Sequence, residues 1–467
     1  MFVGRERELN KLNNMYESSQ FEFAVLYGRR RVGKTTLIRE FMNEKQGVYY
    51  MAVEGTRKEN LNGLSKALLF QKGLQKSTAE FLDYEALLDY IDTIAISGQR
   101  VIIAIDEYPY LAASYPAISS MLQSHIDGCW KNSRIFLILC GSSMSFMEEQ
   151  VLGYKSPLYG RRTAQFKIHP FTFFESRQML MDFSAEDQAV LYGVTGGIPE
   201  YLSRINERCN LDENIIYLFF EESGRLFEEP VNLMKQELKE PMTYHSIVSA
   251  IAGGASKLNE IATKTGLETS GCSNQISSLI ALGIVRREVP VTEPVTSRKT
   301  LYCLEDSMFL FWYRFVRPNI SSISRGVGEQ VYRTLVLPQL SDFMGHIFEE
   351  ICKQYLYLPD IYSRLPFTIG DVGRWWGNNP RMKRQEEIDL MSVLDKQALF
   401  GECKWKNEKV GFNVLETLQE RGELFAYQDK YYYIFSKSGF DDALILSAKQ
   451  LQNVTLVSFE QMVYEEK

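Results

Sequence analysis

Three short, nearly continuous apolar runs mark the first third of the chain, at residues 21–27, 101–105 and 135–140. Each has strand length and ends at glycine or at charged residues. That is the pattern of strands buried on both faces of a parallel sheet. Between them, residues 36–42 and 59–95 carry apolar positions at helical spacing. The first part therefore reads as alternating α/β. Further on, a helix begins at Leu258 and stops at Gly266, and a second, residues 272–282, closes at Gly283. Residues 284–289 and 300–304 then read as two strands around a turn holding Arg298 and Lys299. Helix, turn, helix and hairpin is the order of a winged helix. Residues 302–319 are densely aromatic and read as core. Residues 341–357 form a helix with Phe343, Ile347, Phe348, Ile351 and Cys352 on one stripe. Residues 387–394 and 398–405 read as a β-hairpin around Asp395-Lys396-Gln397.

At 467 residues the chain has room for about three domains. An apolar fraction of 45% and a charged fraction of 24% are those of a water-soluble globular protein. No apolar run reaches membrane-spanning length, and the N-terminus has no signal-peptide core. The 7 cysteines and 4 histidines are dispersed, with no C-x-x-C pair. Neither a disulfide framework nor a zinc site is indicated, and a cytoplasmic location is expected. The net charge of −7 argues against indiscriminate coating of nucleic acid, but leaves room for a local basic site.

The chemistry centres on Gly28-Arg29-Arg30-Arg31-Val32-Gly33-Lys34-Thr35, a complete G-x-x-x-x-G-K-[ST] loop between a strand and a helix. Gly28 and Gly33 let the backbone turn its N–H groups toward phosphate oxygens, and the helix N-terminus at Thr36 adds more donors. Lys34 is placed for the β- and γ-phosphates, and the Thr35 hydroxyl for Mg²⁺. The second apolar strand ends at Asp106-Glu107. Asp106 is expected to hold Mg²⁺, and Glu107 to orient or deprotonate the attacking water. The third strand ends at Gly141-Ser142-Ser143, where a serine either senses the γ-phosphate or caps the next helix. The segment FVGRERE at residues 2–8 is either a capped surface helix or a box against the bound base. Arg161 or Arg162, in the loop SPLYGRR, is the candidate arginine finger toward a neighbouring subunit. Pro199, in GGIPEYL, fixes a rigid turn, either against the base or simply between helices.

In the last part, strand alternation puts Glu402 and Lys404 on one face and Cys403 on the other, with Asp389 approaching from the paired strand. Two carboxylates and a lysine suit a divalent ion and an activated water. Arg374, Trp375, Trp376, Arg381, Lys383 and Arg384 lie just before this strand and suit a nucleic-acid backbone with exposed bases.

The motifs FVGRERE, GRRRVGKTT, VIIAIDEY, CGSS, SPLYGRR and GGIPEYL, in this order, resemble the prokaryotic AAA+-type archaeal ATPase family, relatives of the STAND switch ATPases. GRWWG, EEIDL, LFGECKW and FSKSGF resemble the PD-(D/E)XK nuclease-like domain that accompanies it. The resemblance implies a P-loop parallel-sheet ATPase domain over residues 1–225, with a helical lid at about 171–225. A winged helix over 230–320 and a restriction-endonuclease-like α/β domain over 335–467 follow. It implies ATP and Mg²⁺ as cofactors, and Asp389, Glu402 and Lys404 as a catalytic set with Glu349 as a fourth member. It also implies DNA and further copies of the chain as partners, with no membrane. Two functions follow from this reading. One is an ATP-hydrolysing, DNA-associated protein with an Mg²⁺-dependent nuclease domain. The other is an oligomerising ATP switch whose last domain binds DNA or a protein without cutting.

Overall fold

The computed structural model describes residues 2–71, 80–238, 240–380 and 382–464, so Arg381 lies outside the described residues. The chain packs as two compact units. One runs through Phe171 and includes Ile198–Glu200; the other holds Thr172–Gly197 and the chain from Tyr201 onward.

The first unit is built on α1 (Glu6–Glu17), β1 (Glu22–Tyr27), α2 (Lys34–Met42), β2 (Gly47–Met51), α3 (Arg57–Gln71), α4 (Tyr84–Ile96), β3 (Val101–Asp106), α5 (Tyr108–Ser114), α6 (Ile118–Gly128), β4 (Ile135–Gly141) and β5 (Ala164–Lys167). Its strands form one parallel sheet in the order β2-β3-β4-β1-β5. β3 and β4 are buried at every position, as continuous Val/Ile/Leu runs require. Phe23, Val25, Ile103, Ile105, Leu137 and Leu139 lie in its core. The C-terminal ends of β1, β3 and β4 lie side by side, so the glycine-rich loop, the acidic pair and the serines meet at one sheet edge.

In the second unit, α7 (Ala185–Thr195) packs on α11 (Leu340–Leu356); between them lie α8 (Pro241–Ala252), α9 (Leu258–Thr265), α10 (Thr269–Ala281), β6 (Val285–Glu288) and β7 (Leu301–Leu304). A Cβ at Gly193 would stand 3.2 Å from Ile347 and from Met344, which is what lets α7 and α11 approach so closely. Residues 172–197, expected to serve as part of a lid, thus pack with the last third of the chain. β6 and β7 form an antiparallel hairpin after α9 and α10.

The last sheet comprises β8 (Gly373–Asn379), β9 (Arg384–Leu394), β10 (Gln397–Lys404), β11 (Asp429–Ser436) and β12 (Val454–Ser458), in the order β12-β11-β10-β9-β8. α12 (Phe412–Gly422) follows β10. β8, β9 and β10 run antiparallel, whereas β10, β11 and β12 run parallel. α12 packs Leu415 and Leu418 against Phe400 and Ile434, while α11 sets Phe348 and Tyr355 against Trp405 and Phe435. β9 carries a bulge. Gly373 pairs with Met391 and Trp375 with Ile388, so Arg374 alone faces both Asp389 and Leu390. Among the described residues, no helix is long and apolar enough to cross a membrane.

Candidate nucleotide site and C-terminal acidic centre

The phosphate loop is shaped by its glycines. A Cβ at Gly28 would lie 2.3 Å from the carbonyl oxygen of Ile168, so only glycine fits there. Gly33 has φ +92°, and its carbonyl accepts from Leu37 N at 2.9 Å, opening α2 with its free N–H groups toward the loop. Arg31 takes φ +71°, a left-handed conformation that costs a non-glycine residue about 1–3 kcal/mol. Lys34 Nζ donates to the carbonyls of Gly28 at 2.7 Å and Arg29 at 2.9 Å, which holds the ammonium inside the curl. Burial pulls the Lys34 pKa down, against the pull of Cys140, Glu107 and Asp106. A phosphate in the loop would repay that desolvation.

Asp106 is held from three sides. Its Oδ2 accepts from Thr35 Oγ1 at 2.7 Å and Tyr49 OH at 2.9 Å, and its Oδ1 accepts from Glu107 N at 2.9 Å. Cis oxygen ligands of Mg²⁺ lie about 2.9 Å apart, given bonds of about 2.0–2.1 Å. The Thr35–Asp106 spacing and their hard oxygen donors therefore fit that ion. Glu107 has φ +50°, and its Oε2 accepts from Ser142 Oγ at 2.9 Å. Ser142 thus bonds the acid; neither it nor Ser143 caps the next helix with its side chain. Arg5 donates to the carbonyls of Val32, at 3.1 Å, and His169, so the FVGRERE box braces the loop. The Pro199 ring reaches within 3.9 Å of a Cβ placed on Gly33. Tyr49 was not singled out from sequence. It sits on edge strand β2, where alternation gives no hint of the carboxylate opposite.

The two candidate finger arginines differ. Arg161 makes a two-pronged pair with Asp127 of α6, at 2.9 and 2.5 Å, and donates to the carbonyls of Pro157 and Tyr159. It therefore anchors its own loop. Arg162 is half-exposed and lies over the Tyr159 ring at 5.9 Å.

At the C-terminal centre, Lys404 Nζ donates to Glu402 Oε1 at 2.5 Å, and Arg421 Nη1 of α12 to Glu402 Oε2 at 2.9 Å. Asp389 Oδ2 accepts from Cys403 N at 2.8 Å, at the bulge where β9 parts from β10. Burial, then the charges of Glu402 and Glu349, push the Asp389 carboxyl up to about 7. Burial works against the Lys404 ammonium, but Glu402 and Asp389 outweigh it and raise its pKa. Asp389 and Glu349 line one cavity of about 360 Å³ with His346, Arg374 and Glu288. Both Glu402 oxygens are thus occupied by cations. Among the described residues, Asp389, Glu402 and Glu349 do not bring their ligand atoms within 4.8 Å of one another. As arranged, the three carboxylates do not converge on one point, and Glu402 would have to shed a cation to join Asp389 on a divalent ion.

The expectation that Arg374 and Trp375 grip nucleic acid is corrected. Arg374 pairs with Glu288 at 3.2 Å and with Glu387, and lies 3.9 Å from Glu349. Its carbonyl accepts from Val291 N at 3.0 Å. Trp375 packs on Phe425 against the sheet core. Arg286 is likewise paired, with Glu288 at 2.6 Å. Charges that look available in the sequence are used to join the β6–β7 hairpin to β8 and α11.

Residues 2–205 match the family described as "ATPase domain predominantly from Archaea", and residues 312–416 match archaeal and bacterial proteins of unknown function. The Methanocaldococcus jannaschii protein MJECL04 is 34% identical over 447 residues, covering 94% of this chain and 96% of its own length. The ATP-binding protein MJ0423 of the same organism is 46% identical over 46 residues, covering 10% of this chain and 78% of its own length. Among solved structures, the Walker-type ATPase PABY2304 of Pyrococcus abyssi superposes with a TM-score of 0.51 at 20% identity, over 67% of this chain and 96% of that one, which shows the shared fold. With a complete phosphate loop on a five-stranded parallel sheet and a relative aligned along nearly its whole length, the chain belongs to the family of MJECL04 and carries the ATPase domain found predominantly in Archaea.

Proposed function

We propose that this protein hydrolyses ATP with Mg²⁺ and uses the cycle as a switch directed at DNA. The observation that carries the reading is Asp106, pinned by Thr35 and Tyr49 beside a Glu107 that Ser142 holds. Gly28 to Thr36 would cradle the phosphates, with Lys34 countering their charge. Thr35 and Asp106 would hold Mg²⁺, which neutralises charge on the phosphates. Glu107 would take the proton of the attacking water, and Pro199 would border the nucleotide. Because Arg161 is engaged within its own domain, Arg162 is the finger we assign, acting on a second copy of the chain. A winged helix over 230–320 would contact DNA, and the free cysteines suit the cytoplasm. Lys34→Ala should abolish ATP binding, and Glu107→Gln should keep binding while stalling turnover. Wild-type turnover by Glu107→Gln would sink the assignment.

A second reading concerns the C-terminal centre, and the raised Asp389 beside Glu402, Glu349 and Lys404 favours it. These four residues resemble a PD-(D/E)XK nuclease set, and DNA cleavage would require Arg421 to release Glu402. Arg421→Gln should then raise metal-dependent cleavage of DNA, and Asp389→Asn should abolish it. If neither the wild type nor Arg421→Gln cuts single-stranded, double-stranded or branched DNA, the domain is a binding module.

A further inference from the structure

Asp89 and Asp92 sit three residues apart on α4, so their side chains share one helix face. His125 of α6 meets them there. Its Nδ1 lies 3.0 Å from each oxygen of Asp92. One ligand atom from each of the three residues lies within 4.8 Å of the others, and among the described residues no other such group of three occurs.

We propose that Asp89, Asp92 and His125 bind a divalent transition-metal ion of the zinc class, outside the nucleotide site.

Three physical arguments support it. First, two carboxylates on one helix face repel each other, and the imidazole neutralises them only when protonated. A cation between them removes the repulsion. Second, the spacing fits. Tetrahedral ligands with bonds of about 2.0 Å lie about 3.3 Å apart, close to the His125–Asp92 distance. The ion would take the place of the Nδ1 proton, with the neutral imidazole keeping its other proton on Nε2. Third, Asp92 is already aimed. The buried Trp130 Nε1 donates to its Oδ1 at 2.6 Å, which fixes the carboxylate with both oxygens toward the imidazole. Such an outer donor orients a metal-ligating carboxylate.

The donor set names the ion. One nitrogen and two carboxylates suit Zn²⁺, Co²⁺ or Mn²⁺, whereas Mg²⁺ favours oxygen alone. Asp89 is exposed, so the ion would keep solvent ligands and exchange readily. It would clamp α4 to α6, two residues before Asp127, the anchor of Arg161.

Zn²⁺ titrated calorimetrically into the nucleotide-free full chain tests this, with melting temperature as a second readout. Wild type should take up one ion at this site and melt higher with Zn²⁺ than with Mg²⁺. Asp89→Asn is exposed and should leave the fold intact. Loss of an outer-shell partner costs roughly 10–100-fold in affinity, so loss of this ligand should weaken binding by at least about tenfold. His125→Gln should do the same. Co²⁺ should give a visible absorption band in wild type that Asp89→Asn lacks. Identical Zn²⁺ titrations of wild type and Asp89→Asn would overturn the proposal, as would wild type binding no ion at all.

Discussion

Gly28→Ala is the most direct probe of how the phosphate loop is built. The new methyl would sit 2.3 Å from the Ile168 carbonyl oxygen, well inside contact distance. That carbonyl cannot easily retreat, because Ile168 N donates to Tyr27 O at 2.7 Å and β1 and β5 pair from Ala24 to Tyr27. Overpacking of this kind costs about 1–3 kcal/mol, and relief would separate β5 from the loop. Gly33→Ala is the control. It also has a positive φ, but a Cβ there meets nothing nearer than the Pro199 ring at 3.9 Å. It should therefore bear conformational strain of about 1–3 kcal/mol without a clash. At about 2–4 °C per kcal/mol for a domain of this size, Gly28→Ala should lower the melting temperature of the first unit by several degrees. It should also lose the added stability that ATP–Mg²⁺ gives. Gly33→Ala should melt closer to wild type. The reasoning is refuted if Gly28→Ala matches wild type in both melting and nucleotide stabilisation.

Tyr49→Phe removes one of the two hydroxyls on Asp106 Oδ2, so the Mg²⁺ concentration for half-maximal ATPase activity should change while Mg²⁺-free nucleotide binding does not; a Mg²⁺ titration reads it. Arg162→Ala should lower ATPase activity and its rise with protein concentration, whereas Arg161→Ala should mainly make the 156–162 loop more sensitive to protease; equal kinetic losses in both would refute the division of roles. For Asp389 the sign follows from a folded pKa of about 7, above the ordinary 3.8. The unfolded chain gives up this proton first, so the stability lost to Asp389 grows from about pH 4 to pH 7 and is constant above. Asp389→Asn, whose amide oxygen can still accept from Cys403 N, should therefore raise the melting temperature at pH 8 and leave it unchanged near pH 4, measured by calorimetry.

The sequence by itself determined three strands of the first sheet, β1, β3 and β4, and the phosphate loop, whereas the edge strands β2 and β5 carry no such run. A run such as residues 135–140 is apolar on both faces, and only a doubly covered strand can bury it. The loop is contiguous, and its chemistry is mostly backbone, so the four intervening side chains, Arg29 to Val32, hardly matter. The Glu402–Lys404 pair was legible for the same reason: strand alternation is local. What only the tertiary structure decided are the partners brought together from distant elements. Tyr49 and Asp106 are 57 residues apart, and Arg421 and Glu402 are 19 apart on a helix and a strand. Periodicity says which face a side chain takes, but not which charge the facing element presents. Arg374 looked like a free cation because its three acids come from β6, α11 and β9. The bulge at Asp389 was equally hidden, since one extra residue in a strand changes no pattern until its partner strand sets the register. Asp89 and Asp92 could be seen to share a helix face, but His125 joined them only when α6 packed on α4.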